Sequence, residues 1–121
     1  MKLALVGYGK MGRAVENVAM EKGHEVVARI DPTLDTHDIG AETLEGADVA
    51  IEFTTPDVAV ENITALAAAG VDAVVGTTGW HERLDEAAAA VNAAGTGMVH
   101  ATNFSLGVNL FLRLARMAAR M

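Results

Sequence analysis

Apolar positions along the chain alternate between two rhythms. Residues 2–7, KLALVG, form a short apolar run ahead of glycines, the pattern of a buried strand. From Met11 the period lengthens. Met11, Ala14, Val15, Val18 and Ala19 fall on one helical stripe, which Gly23 closes. Residues 25–31, EVVARID, predict a second strand. Residues 32–46 set Pro32, Gly40 and Gly46 among acids and predict a loop with at most one helical turn. Residues 48–54, DVAIEFT, predict a third strand. Thr55 then suits an N-cap, Pro56 the first helical position and Asp57 the positive helix end, in a helix that Gly70 terminates. Residues 71–77 read as a fourth strand. An alanine-rich helix with Leu84, Ala87, Ala88 and Val91 on one face runs to Gly95, and residues 97–102 read as a fifth strand. A last, mostly apolar helix fills residues 105–121.

Strands alternating with helices imply right-handed crossovers and a parallel sheet covered on both faces. The expected fold is α/β, a Rossmann-type doubly wound parallel sheet of about five strands in a single domain, with strand order 3-2-1-4-5. At 121 residues the chain can bury a sizeable core.

Within this frame one turn carries chemistry. GYGKMG places Gly7, Gly9 and Gly12 in the G-x-G-x-x-G pattern, with Tyr8, Lys10 and Met11 between them. Gly7 suits a tight turn off the strand, Gly9 lets backbone approach a pyrophosphate, and Gly12 lets the helix pack on the sheet. The helix N-terminus then faces the phosphates. Asp31 ends the second strand, 19 residues after Gly12. It is placed to accept hydrogen bonds from an adenosine ribose. Lys10 suits either a phosphate contact or an ordinary exposed lysine. Asp31 opposes a 2′-phosphate, while Lys10 or Arg13 offsets it in part, so the reading leans to NADH and keeps NADPH open.

In doubly wound sheets, ligands lie outside the carboxyl ends of the strands. Three such ends carry small or polar groups: Phe53 and Thr54 in FTTP, Gly76, Thr77 and Thr78 in GTTGW, and Ala101, Thr102, Asn103 and Phe104 in ATNFS. Glycine, hydroxyls and a flat ring suit a nicotinamide and its carboxamide. Turn-forming residues also gather at strand ends for purely structural reasons, a reading with most force for Thr55 and Gly79.

The net charge of −7 argues against nucleic acid as a partner. From Arg29 to Arg83 no Lys or Arg occurs, while Asp31, Asp35, Asp38, Glu42, Glu45, Asp48, Glu52, Asp57, Glu61, Asp72 and Glu82 do. This reads as a solvated acidic surface. There is no cysteine, hence no disulfide framework or thiolate metal site. No metal site is expected. His24, His37, His81 and His100 are scattered, and each reads as a surface or satisfied core histidine. No apolar run approaches a membrane span and no signal pattern opens the chain, so a cytoplasmic, membrane-free setting is expected.

GYGKMG, DVAIEFTTP, VVGTTGW and ATNFSLGVN, in this order and spacing, resemble the amino-terminal domain of 4-hydroxy-tetrahydrodipicolinate reductases (dihydrodipicolinate reductases). The resemblance runs along essentially the whole chain. Many members carry one more residue between the first two glycines, so this turn is shorter. The resemblance implies an oxidoreductase of lysine and diaminopimelate biosynthesis, reducing a cyclic imine-type dicarboxylate by hydride transfer from NADH or NADPH. It implies that residues 7–11 hold the pyrophosphate and Asp31 the adenosine ribose. Gly76, Thr77, Thr78 and residues 101–104 would lie beside the nicotinamide. It further implies a second domain with a His-His-x-x-x-Lys motif, which this sequence lacks, so no catalytic residue is assigned here. Residues 1–121 are expected to be the cofactor domain, with 105–121 leading toward an absent substrate domain. Arg113, Arg116 and Arg120 stripe that otherwise apolar helix, which predicts an exposed or self-associating face. Two rivals remain: the cofactor domain of another amino-acid-related dehydrogenase, and a dinucleotide-sensing regulatory module.

Overall fold

The computed structural model describes residues 1–101 and Met117. Thr102, Asn103, Phe104 and, Met117 apart, the helix expected over 105–121 lie outside the described residues. Five parallel strands alternate with helices: β1 (Lys2–Val6), α1 (Lys10–Glu21), β2 (Glu25–Ile30), β3 (Val49–Glu52), α2 (Pro56–Ala68), β4 (Asp72–Val75), α3 (Leu84–Ala94) and β5 (Met98–His100). A 3-10 turn at His81–Arg83 leads into α3. Residues 31–48, between β2 and β3, hold turns and no helix.

The sheet buries both faces. On one face Ala4, Val6, Ile30, Ala50 and Val75 meet Val60, Ile63 and Leu66 of α2 and Ala87 and Val91 of α3. On the other, Leu3, Leu5, Ile51 and Val74 meet Val15 and Ala19 of α1. Successive strand residues point to opposite faces, so strands that are covered twice must be apolar throughout. β1 after its exposed Lys2 satisfies this condition, and β3 does so up to its last residue, the buried Glu52.

The strand order is β2-β1-β3-β4-β5, not the expected 3-2-1-4-5. Edge chemistry explains the difference. Glu25 and Arg29 leave β2 half exposed, which suits an edge. β3, VAIE, is buried almost throughout and lies inside, with Leu3–Val6 paired to Val49–Glu52. The connection between β2 and β3 therefore passes β1. It is pinned by Leu44, 1% exposed, against the α2 face of the sheet. The strand order reverses between β1 and β3, and this is the switch point at which such sheets open a crevice.

Thr55 occupies the N-cap of α2 with extended backbone, as expected, but its side chain makes no capping bond. Its carbonyl instead accepts from Val58 N at 3.2 Å.

Candidate dinucleotide-binding site

The turn after β1 is built by steric necessity. Gly7 has φ +99°, and a Cβ there would lie 1.9 Å from the Phe53 carbonyl oxygen. Gly12 lies in the first turn of α1, where a Cβ would lie 2.3 Å from the Gly7 carbonyl oxygen. The helix therefore starts directly over the turn. Gly9 is the N-cap, with extended backbone and no side-chain cap. An added Cβ at Gly9 meets nothing within 4 Å, so this is open space in front of a helix N-terminus. Lys10 and Met11 are exposed at that end of α1.

Asp31 ties this turn to β2. Its Oδ2 accepts from Tyr8 N at 2.6 Å, and its Oδ1 from Thr33 N at 2.9 Å and Thr33 Oγ1 at 2.7 Å. The Tyr8 amide first, and then Thr33, hold its carboxyl below the usual range. Asp31 is thus an ionised carboxylate at the rim, already engaged by its own loop: Oδ1 accepts two bonds and Oδ2 one, which leaves a lone pair to spare on Oδ2.

Tyr8 turns its ring between two guanidinium groups, Arg13 at 5.2 Å and Arg29 at 5.8 Å from its centroid. Its hydroxyl donates to Glu16 Oε2, and Arg29 Nε donates to Glu16 Oε1 at 2.8 Å. The bond from Arg29 leads the lowering of the Glu16 pKa. Arg29 is committed to this pair, while Arg13 keeps its stacking contact beside the turn.

A cleft of about 450 Å³ opens at the β1/β3 switch point. Gly7, Asp31, Phe53 and Thr54, four of the residues expected from the sequence, share its wall. So do Pro32, His37, Ile39, Val58, Asp57 and Asn62, which the sequence reading did not assign to a site. His37 is exposed, as a surface histidine was expected to be, and also lines this wall. Ile39 was legible as an apolar residue within an acidic loop, but nothing in the sequence said where that loop folds.

The loops after β3 and β4 are interlocked. A Cβ at Gly76 would overlap the Phe53 ring, 1.8 Å from Cε1, so the space that Gly76 leaves is filled by Phe53. Thr77 is buried, and its Oγ1 accepts from Thr54 N at 2.7 Å and donates to Glu52. Thr54 Oγ1 also donates to Glu52, and Asn62 Nδ2 reaches Glu52 Oε2 at 3.1 Å. Glu52 is 0% exposed, which corrects its assignment to the acidic surface. Burial pushes its pKa up, against the hydrogen bonds from Thr54, Thr77 and Asn62. Thr78 is exposed, and Ala101 N bonds to Val75 O at 3.2 Å at the end of β5.

Trp80 is buried and donates from Nε1 to Thr77 O at 2.6 Å. His81 stacks on it at 5.2 Å, and His100 meets it edge-on at 5.5 Å. Among the described residues no three His, Asp or Glu side chains gather as metal ligands. No described helix is long and apolar enough to cross a membrane.

A parallel sheet, a glycine turn at the head of the first helix and an acid closing the neighbouring strand together define a Rossmann-type nucleotide-binding fold. The chain belongs to the dihydrodipicolinate reductase family: residues 1–104 match the family described as "Dihydrodipicolinate reductase, N-terminus". It is 36% identical over its whole length to the 4-hydroxy-tetrahydrodipicolinate reductase of Christiangramia forsetii, covering 49% of that protein. With the reductase of Beutenbergia cavernae it shares 39% identity over 98% of this chain and 48% of the relative. The chain thus spans about half the length of the curated relatives it matches. A dipicolinate-bound dihydrodipicolinate reductase from Paenisporosarcina sp. TG-14 superposes with a TM-score of 0.71 at 26% identity, covering 98% of this chain and 53% of that one.

Proposed function

We propose that this chain is the nicotinamide-dinucleotide-binding part of a 4-hydroxy-tetrahydrodipicolinate reductase, which reduces a cyclic imine-type dicarboxylate in lysine and diaminopimelate biosynthesis. The observation that carries the reading is the open space at Gly9 in front of α1, next to Asp31, within the family-matched residues. Family membership favours this reading over the sensing module and the other dehydrogenases. The residues present fit a dinucleotide. The free amides at the head of α1 would take the pyrophosphate, and the spare lone pair of Asp31 Oδ2 a hydroxyl of the adenosine ribose. The bound nicotinamide supplies the hydride; the protein binds, orients and excludes water.

Two acids on the cleft wall, Asp31 and Asp57, favour NADH, because a 2′-phosphate would meet like charge. Arg29 is occupied by Glu16, which leaves less cationic help for NADPH. Ala101, Thr102, Asn103 and Phe104 would complete the nicotinamide side. Residues 105–121 would lead toward a substrate domain and, without it, self-associate. We place the protein in the cytoplasm.

Fluorescence titration tests the reading. The chain should bind NADH, and more tightly than NADPH. Gly9→Val puts a side chain into the pyrophosphate's place in backbone that tolerates it. It should weaken NADH by about two orders of magnitude, roughly 2.7 kcal/mol, with unchanged circular dichroism. Unaltered affinity would sink the assignment.

Turnover is a separate expectation. Hydride transfer needs substrate held about 3–3.5 Å from the nicotinamide carbon, and among the described residues nothing forms a cationic clamp for a dicarboxylate over the cleft. The chain alone should therefore show no steady-state reduction, whereas a chain extended to the length of its relatives should. Equal rates from both would refute this division of labour.

A further inference from the structure

Glu52 has the properties of a built feature that the proposed function has not yet used. It is the last residue of β3, at the centre of the sheet, level with Val6 of β1 and Val75 of β4. A carboxylate with 0% exposure costs several kcal/mol unless it is fully hydrogen-bonded. Here the bonds come from three separate places: Thr54 in the loop after β3, Thr77 in the loop after β4, and Asn62 on α2. These neighbours are uncharged. The titratable groups that share the cleft wall with Thr54 and Asn62 are Asp31, His37 and Asp57.

The direction of each bond matters. Thr77 Oγ1 accepts from Thr54 N, so its own proton goes to Glu52. Thr54 Oγ1 accepts from Asn62 at 3.3 Å, so its proton also goes to Glu52. The network closes only if both carboxyl oxygens accept. It draws the two threonine hydroxyls down into the protein, away from any ligand above, and locks FTTP to GTTGW.

The position of these loops follows from the rest of the site. The glycine turn lies between β1 and α1, and Asp31 ends β2 on one side of β1. A dinucleotide with its adenosine toward β2 must extend its other half across β3 and β4, the strands that Glu52 joins.

We propose that Glu52 is a positioning residue for the nicotinamide half of the cofactor: bonded to Thr54, Thr77 and Asn62, it sets the two loops that wall that half of the cleft. This rests on the dinucleotide reading above and deepens it. Glu52 touches no ligand itself. It acts through the backbone of residues 53–54 and 76–78, whose spacing it fixes.

The test separates the two halves of the ligand. Glu52→Gln keeps the shape but makes one end a donor. That end cannot face Asn62, itself a donor, so it must face Thr77 and drive the threonine proton outward. Binding of NADH and of ADP-ribose, which lacks the nicotinamide, is measured calorimetrically for the chain and the variant. NADH affinity should fall about tenfold, while ADP-ribose stays within about twofold. Equal loss of both ligands, or retention of NADH affinity, overturns the proposal, because a purely structural role would not distinguish them. Should Glu52→Gln fail to fold, Thr77→Val must give the selective loss of NADH, and Thr77→Ser, which keeps the hydroxyl, must restore it. The absence of either result again overturns the proposal. If the unaltered chain binds neither ligand, the dinucleotide reading itself fails, and the positioning role falls with it.

Discussion

Asp31 serves two needs with one carboxylate. It accepts from the Tyr8 amide and from Thr33, which fixes the glycine turn, and it stands at the cleft rim. Its pKa is lowered on folding, so its contribution to stability is present above the ordinary carboxylate value and is lost as pH falls through the folded one. Asp31→Asn puts a donor against backbone amides. At neutral pH it should destabilise the chain by on the order of 1 kcal/mol. The gap from the parent should close below about pH 4, as both forms become neutral. Urea unfolding across that range measures it, and a pH-independent gap would show that the amide contacts contribute nothing. The position of Asp31 was legible in the sequence from its spacing to the glycines. Its internal bonds were not, since they depend on how residues 31–36 turn. Glu52 was illegible for another reason. Among so many neighbouring acids its charge read as surface, although its place inside an apolar strand was the available hint.

At the scale of elements, periodicity located every strand and helix described, usually within a residue or two, because burial on one or two faces leaves a direct mark on the pattern. Strand order left a fainter mark. The charged positions of EVVARI were a hint that β2 is an edge, one at odds with the expected order 3-2-1-4-5, and the connection from β2 to β3 has no periodic pattern from which to read its path. In the structure that path is held by Leu44, buried in the same core cluster as Ala4, Val6 and Ile30. Leu44→Ala removes the anchor and leaves a cavity, so it should cost about 3 kcal/mol. A chemical-denaturation midpoint reports this. A loss below about 1 kcal/mol would mean that the connection is held elsewhere. The interlock of Phe53 with Gly76 could not be foreseen either. Glycine in GTTGW suggested room for a ligand, whereas the room is taken by a ring from the adjacent strand end.

Over the whole molecule, charge is the dominant long-range term. A net charge of −7, with no Lys or Arg between Arg29 and Arg83, makes compact folding work against self-repulsion. Added salt screens such repulsion over about 10 Å at 0.1 M. The midpoint of thermal unfolding should therefore rise by a few degrees between about 10 mM and 0.5 M sodium chloride. A flat or falling midpoint would show that local pairs such as Arg83 with Glu61 and Glu86 outweigh the excess. The loop anchored by Leu44 has one further consequence, which belongs to evolution. Pro32, His37 and Ile39 face the cleft, yet the loop that carries them adds no strand to the sheet. Mutations there can alter what the cleft selects while the scaffold stays intact. A lineage could thus exchange one cofactor preference for another by drifting through this loop, leaving the sheet and the glycine turn untouched.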